Sequence, residues 1–303
     1  MSNKSVALIF IACILVFSSP ACAIEREFIE NDQVIVQYEK PLQAVANEII
    51  RLYPSVKKEL QLTFKSSIDF KPVVWIIEDR TTFQKTIKNE SVVAVAIYGK
   101  NLIIIDNSRM KTHPFTLEVT LKHELCHLFL HNLAGTGNLP RWFNEGVSQW
   151  ASGGIAEIIM GENKDLLKQA TLSGRLIRIH DLSQGFPGDK KGLRMAYQES
   201  LSIVEYIDKE FGTNGILQIM NYLKEGHSID AAIRKALSIP LYELENRWHE
   251  SLRKKYTWFT YLSSHLYQIL FSFAAFVLIY GFIKLMIRRR AYRDEEEETE
   301  IDE

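Results

Sequence analysis

Two histidines four positions apart, His123 and His127, enclose the run His123-Glu124-Leu125-Cys126-His127. On a helix, residues i and i+4 stand one above the other, so two imidazoles at this spacing can reach one divalent ion. Glu124 then projects about 100° around the axis from His123. From there a carboxylate can touch a metal-bound water without ligating the metal. Three fixed residues in five positions arise by chance in about 1% of chains of this size, so the pattern gains meaning only with a third ligand.

His131 continues the same face, but it lies about 12 Å along an unbroken helix from His123, too far to share an ion with it. It reads as a solvated or core histidine. Glu145 is the better ligand. It follows His127 by 18 positions, across the turn-forming run Gly135-Thr136-Gly137-Asn138-Leu139-Pro140. Pro140 suits the start of a new helix, which puts Glu145 in its second turn, facing back. Two histidines, a glutamate and a water make an open, catalytic zinc set, so Zn2+ is the expected cofactor. Cys126 points about 80° away from the midpoint of the two histidines and reads as a small buried apolar residue.

Elements must hold these groups. Val34–Tyr38, Val73–Ile77, Val92–Tyr98 and Leu102–Asp106 are short β-branched runs, the last two flanking a hairpin signal at Gly99-Lys100-Asn101. A helical period (Leu42, Val45, Ile49, Leu52, Val56, Leu60) separates the first two. Thr112 and Pro114 suggest the start of the motif-bearing helix and Gly135 its stop. From Thr116 onward the pattern is helical, with glycines as breaks and a polar loop at Asp181–Arg194. The predicted fold is α+β, a small N-terminal mixed sheet followed by a helical zinc-binding lobe.

The run Leu139-Pro140-Arg141-Trp142-Phe143-Asn144-Glu145-Gly146, read with His123–His127, resembles the gluzincin zinc peptidases, and specifically the peptidase MA-like group. Ala196-Tyr197-Gln198-Glu199-Ser200 resembles the segment that carries a transition-state tyrosine in the aminopeptidase branch, and Ser228–Leu252 resembles the family's closing helices. The resemblance implies that His123, His127 and Glu145 bind zinc, that Glu124 is the general base and that Tyr197 donates a hydrogen bond to the oxyanion. A phenol, with its ordinary pKa of about 10, remains a donor at neutral pH. Two departures stand out. The Gly-Ala-Met-Glu-Asn type element that holds a substrate amino terminus is absent, so exopeptidase action is not supported. Gln149 replaces an aspartate that some gluzincins set behind a zinc histidine, and it could accept a hydrogen bond from an imidazole without supplying charge. The strand Val92–Tyr98 offers an edge to which an extended peptide could add, or is an ordinary sheet strand.

The two ends place this chemistry. Lys4, the apolar run Val6–Phe17 and Ala21-Cys22-Ala23 read as a secretory signal over residues 1–23. Trp258–Ile283 carries no ionised side chain, and with Lys284 snorkelling it can cross a bilayer. The predicted layout is an extracytoplasmic peptidase domain at 24–257, a transmembrane helix at 258–287 and a cytoplasmic tail at 288–303. Cys13 and Cys22 fall in the signal, which leaves Cys126 without an intramolecular disulfide partner. The chain of 303 residues has a net charge of −1, which gives no sign of a nucleic-acid partner. Eight acids in the last ten residues offset a basic remainder, and this tail reads as solvated. The expected protein is a single-pass membrane zinc endopeptidase acting on peptides or proteins, with the short tether favouring membrane-proximal ones. The alternative is a zinc-binding or assembly protein that keeps the peptidase fold without turnover.

Overall fold

The computed structural model describes residues 26–111, 115–134, 139–153, 166–257, 262 and 265–301. The expected signal segment, Thr112, Pro114, the glycine-rich turn at 135–138 and Trp258 lie outside the described residues.

Five short strands, β1 (Arg26–Glu30), β2 (Ile35–Glu39), β3 (Val73–Ile77), β4 (Ala94–Ile97) and β5 (Leu102–Asp106), form one sheet in the order β1-β2-β3-β5-β4. The three inner strands run parallel, while β1 and β4 pair antiparallel at the two edges. Parallel inner strands are covered on both faces, which is why β3 and β5 are nearly continuous Val, Ile and Leu. The mixed sheet is as the sequence predicts, with β1 added. Its sequence, Arg-Glu-Phe-Ile-Glu, is too polar to announce a strand and is held by its pairing with β2.

Helix α1 (Gln43–Phe64) connects β2 to β3 and buries Ala46, Ile49, Tyr53, Val56, Leu60 and Phe64 along one stripe. The short α2 (Arg80–Ile87) follows β3; Asp79 caps it by accepting from the backbone N–H groups of Thr81 and Thr82. The helical lobe comprises α3 (Leu117–Ala134), α4 (Arg141–Ser152), α5 (Leu166–Ser173), α6 (Ile179–Gln184), α7 (Lys190–Lys224), α8 (Ile229–Leu237) and α9 (Leu241–Lys255). Helix α3 starts later than Thr112 and Pro114 suggest, with Thr116 Oγ1 accepting from the N–H of Val119 at 3.3 Å. The loop predicted at Asp181–Arg194 is mostly helix instead: α6 covers its start, and Asp189 caps α7 through the N–H groups of Lys191 and Gly192. At Gly212 a φ of 69° breaks α7 into two directions.

One continuous apolar core runs from Val36 and Val74 on the sheet, through Leu125 and Phe129 of α3, to Trp248 and Leu252 of α9. Helix α3 is buried on nearly every side between Leu121 and Leu130, so the His-Glu-x-x-His segment occupies the middle of the molecule. A last helix, α10 (Leu266–Ile301), stands apart. Its stretch Leu266–Arg289 is long and apolar enough to cross a membrane, and none of it is buried against the rest of the protein. The helix continues to Ile301 through the charged segment predicted as a solvated tail. Alanine, arginine and glutamate propagate a helix readily once an apolar segment has nucleated it.

Candidate metal centre

His123 and His127 come from α3 and Glu145 from α4. Pro140 stands at the N-cap of α4, with φ −64° and ψ 144°, which sets the angle at which the chain re-enters and brings Glu145 back over α3. Gly146 permits the approach of α4 to α7. A Cβ at this position would meet Val204 Cγ2 at 2.7 Å and collide with the carbonyl of Ser200. The sequence Asn-Glu-Gly therefore joins a potential ligand to the residue that lets its helix pack.

One side-chain donor atom from each of His123, His127 and Glu145 falls within 4.8 Å of the others. All three residues are buried, at 2%, 2% and 5% exposure. The two Nε2 atoms are 3.1 Å apart, and His127 Nε2 is 3.5 Å from Glu145 Oε2. A tetrahedral zinc ion with bonds of 2.0–2.2 Å spaces its ligands by about 3.3–3.6 Å, close to these separations.

The far sides of the rings fix where their lone pairs point. Asn144 Nδ2 is aimed at the Tyr98 hydroxyl (3.5 Å), so Asn144 Oδ1, 3.0 Å from His127 Nδ1, accepts from the ring. Ser148 Oγ lies at 3.0 Å from the same nitrogen. Ser152 Oγ donates to the Ser148 carbonyl at 2.7 Å and so accepts from His123 Nδ1 at 3.3 Å. With hydrogen on both Nδ1 atoms, both Nε2 atoms carry lone pairs, facing each other and Glu145 Oε2. Glu145 Oε2 is buried and accepts no hydrogen bond among the described residues. Three acceptors converging in a buried space repel one another unless a cation lies between them, so the donor set fits a divalent metal.

Electrostatics agree. Burial, then the proximity of His127, hold His123 well below the usual histidine range, leaving it neutral as a ligand must be. Burial pushes the Glu145 carboxyl up to about 7, while Arg141 and the Tyr197 hydroxyl draw it down.

Glu124 is fully buried beside His123 in sequence and is not one of the three converging ligands. Tyr197, on α7, is also fully buried; its hydroxyl donates to Glu145 Oε1 at 3.3 Å and accepts from Arg141 Nη2 at 3.3 Å. Arg141 stacks over the Phe186 ring, 4.5 Å from its centroid, and Phe186 in turn packs edge-on against Tyr197 at 5.3 Å. Gln149 does not reach an imidazole. Its Nε2 donates to the carbonyls of Glu145 (3.2 Å) and Tyr197 (3.1 Å), fastening α4 to α7. His131 lies outside the converging group, half-buried and stacked on Tyr98 with centroids 3.4 Å apart. Burial of Cys126 pushes its thiol up to about 12.

Sequence reasoning passes over Asn144, Ser148 and Ser152. Their four-residue spacing on α4 is nonetheless a readable signal, a stripe of small polar side chains on one helix face. Arg141 and Phe186 carry no such signal, being 45 positions apart.

Over residues 60–254 the sequence matches the peptidase MA superfamily. No curated protein matches it. Among solved structures it is similar to the crystal structure of Legionella pneumophila aminopeptidase A in complex with aspartic acid. The TM-score is 0.43 at 12% identity, over 75% of this chain and 28% of that one. The chain therefore spans well under half the length of that aminopeptidase. With the family match extending over more than half of its residues, the chain belongs to the peptidase MA superfamily.

Proposed function

We propose that the protein is a membrane-anchored zinc endopeptidase, in which His123, His127 and Glu145 hold the ion, Glu124 is the general base and Tyr197 donates to the oxyanion. The observation that carries this reading is the convergence of the two Nε2 atoms and a buried carboxylate oxygen on one point. When bound, zinc supplies a Lewis acid that acidifies a water and polarises the scissile carbonyl.

The chain's own groups do the rest. The Glu124 carboxylate takes the proton of the attacking water and passes it to the leaving nitrogen. The Tyr197 hydroxyl, resting on Glu145 Oε1, turns to the carbonyl oxygen as negative charge develops there. Asn144, Ser148 and Ser152 keep both imidazoles in the ligating tautomer. The outer edge of β4, next to α3, offers backbone groups to which an extended peptide can add as a strand. A strand-like mode holds the middle of a peptide, which agrees with endopeptidase action and with the absence of an element that grips an amino terminus.

Anchoring rests on Leu266–Arg289 together with the signal-like N-terminus. This gives residues 24–257 as an extracytoplasmic domain and residues 288–303 as a cytoplasmic tail. Peptides or proteins near the bilayer are then the substrate class. The test is zinc content and peptide-pool cleavage by the full chain in detergent. One zinc per chain, with cleavage lost in Glu124→Gln, is the expected result. No bound metal at neutral pH overturns the reading, and zinc without cleavage of any peptide identifies a non-catalytic assembly protein instead.

A further inference from the structure

Arg141 occupies the first position of α4, one turn before Glu145. Its Nε lies 3.8 Å from Glu145 Oε1, and its Nη2 donates to Tyr197 at 3.3 Å. The guanidinium therefore stands one side chain away from the proposed ion. Its side chain is nevertheless 48% exposed, against 7% for Glu145. A group serving only to neutralise Glu145 would sit closer and deeper. This one reaches solvent while its base is fixed.

Its rigidity comes from aromatic support. One face lies on Phe186 at 4.5 Å, the Tyr197 ring centroid is 5.9 Å away, and Phe186 and Tyr197 brace each other. A planar, permanently charged fork held this way loses little rotamer freedom when it binds an anion, which favours recognition of carboxylates. Its charge points the same way. Arg141 holds a permanent positive charge on a half-exposed side chain next to Glu145. Such a field attracts anionic segments and disfavours cationic ones.

We propose that Arg141 is the specificity-determining residue of the site and selects substrates that carry a carboxylate close to the scissile bond, as an acidic side chain or as a free C-terminus. The inference rests on the zinc peptidase reading and deepens it.

The experiment measures binding without turnover. The full chain carrying Glu124→Gln, loaded with zinc in detergent micelles, is titrated calorimetrically with nonapeptide pools that carry Glu, Gln or Lys at one scanned position. Each pool is tested with a free and with an amidated C-terminus. At the optimal position the Glu peptides bind about tenfold tighter than the Gln peptides, the size of one charge-assisted hydrogen bond. Lys peptides bind more weakly than either. Adding Arg141→Gln removes the difference between Glu and Gln peptides when the two proteins are compared at matched zinc loading. Arg141→Lys retains part of it, now strongly salt-dependent. If amidation alone removes the preference, the C-terminal carboxylate is the ligand; if Glu against Gln decides it, the side chain is. Discrimination that survives Arg141→Gln overturns the proposal, as does an equal loss for all peptides, which marks a mere prop for Tyr197. A chain that takes up no zinc and binds no peptide overturns the peptidase reading and this inference with it.

Discussion

The imidazoles of the proposed centre are oriented by neutral oxygens, and unequally. His127 Nδ1 has two side-chain partners, Asn144 and Ser148, whereas His123 has Ser152 Oγ and the Ser148 backbone. Ser152→Ala should lower zinc affinity by about 10-fold, the lower end of the usual cost of losing a ligand's outer hydrogen bond, because the Ser148 backbone still holds His123. Asn144→Ala should cost less, because Ser148 remains in place. Competition with a chromophoric chelator reads both. His123, His127 and Glu145 are legible as a set because helical spacing alone brings the first two together and a proline-led turn returns the third. The contacts of Gln149 are not legible in the same way, because its direction depends on the roll of α4 about its own axis. That roll is set by the contact of Gly146 with Ser200 and Val204, more than fifty residues away in sequence, and no local pattern encodes it.

At the level of elements, α4 and α7 meet in a close joint. Gly146→Ala places a methyl group against the carbonyl of Ser200 and the side chain of Val204, and should destabilise the fold by about 1–3 kcal/mol, as overpacked cores do. Thermal unfolding should register the loss together with weaker zinc retention, since Glu145 moves with the helix. A second joint pins the start of α6. Glu199 accepts from the N–H of Ile177 at 3.1 and 3.2 Å, and Glu245 from that of Ile179 at 3.1 Å. Burial raises the Glu199 carboxyl to about 8; the Ile177 N–H opposes the rise and the nearby Glu245 adds to it. In the unfolded chain a glutamate titrates near about 4.3. Between these values the folded state holds the extra proton, so stability is greatest below the unfolded value and declines as pH climbs through about 8. The slope is at most about 1.4 kcal/mol per pH unit. From pH 5 to pH 8 the urea midpoint of the wild type should fall relative to that of Glu199→Gln, a difference that cancels the titration of His123, His131 and Glu145 common to both. Strands β3 and β5 are legible from their dense Val and Ile content. Strand β1 and helix α2 are not, because one depends on pairing with β2 and the other is too short to display a period.

For the whole molecule, the contrast is between a body with a large continuous core and a helix with no buried residue in its apolar stretch. The full chain should resist extraction from membranes by alkaline carbonate, while a chain ending at Thr257 should be released as a soluble protein. Fractionation followed by immunoblotting distinguishes the two, and a truncated chain that stays in the membrane fraction would contradict the proposed anchor. This division is legible in composition, because a long apolar run without charges has few other uses. The continuity of α10 is what composition conceals. Thirty-six residues in one helix span about 54 Å, roughly twice the thickness of a bilayer's hydrocarbon. With its apolar portion in a membrane, such a rod is a lever whose fulcrum lies in the lipid. Any partner that pulled on the acidic end would tilt the opposite end, where only a short stretch of chain separates it from α9 and the peptidase body.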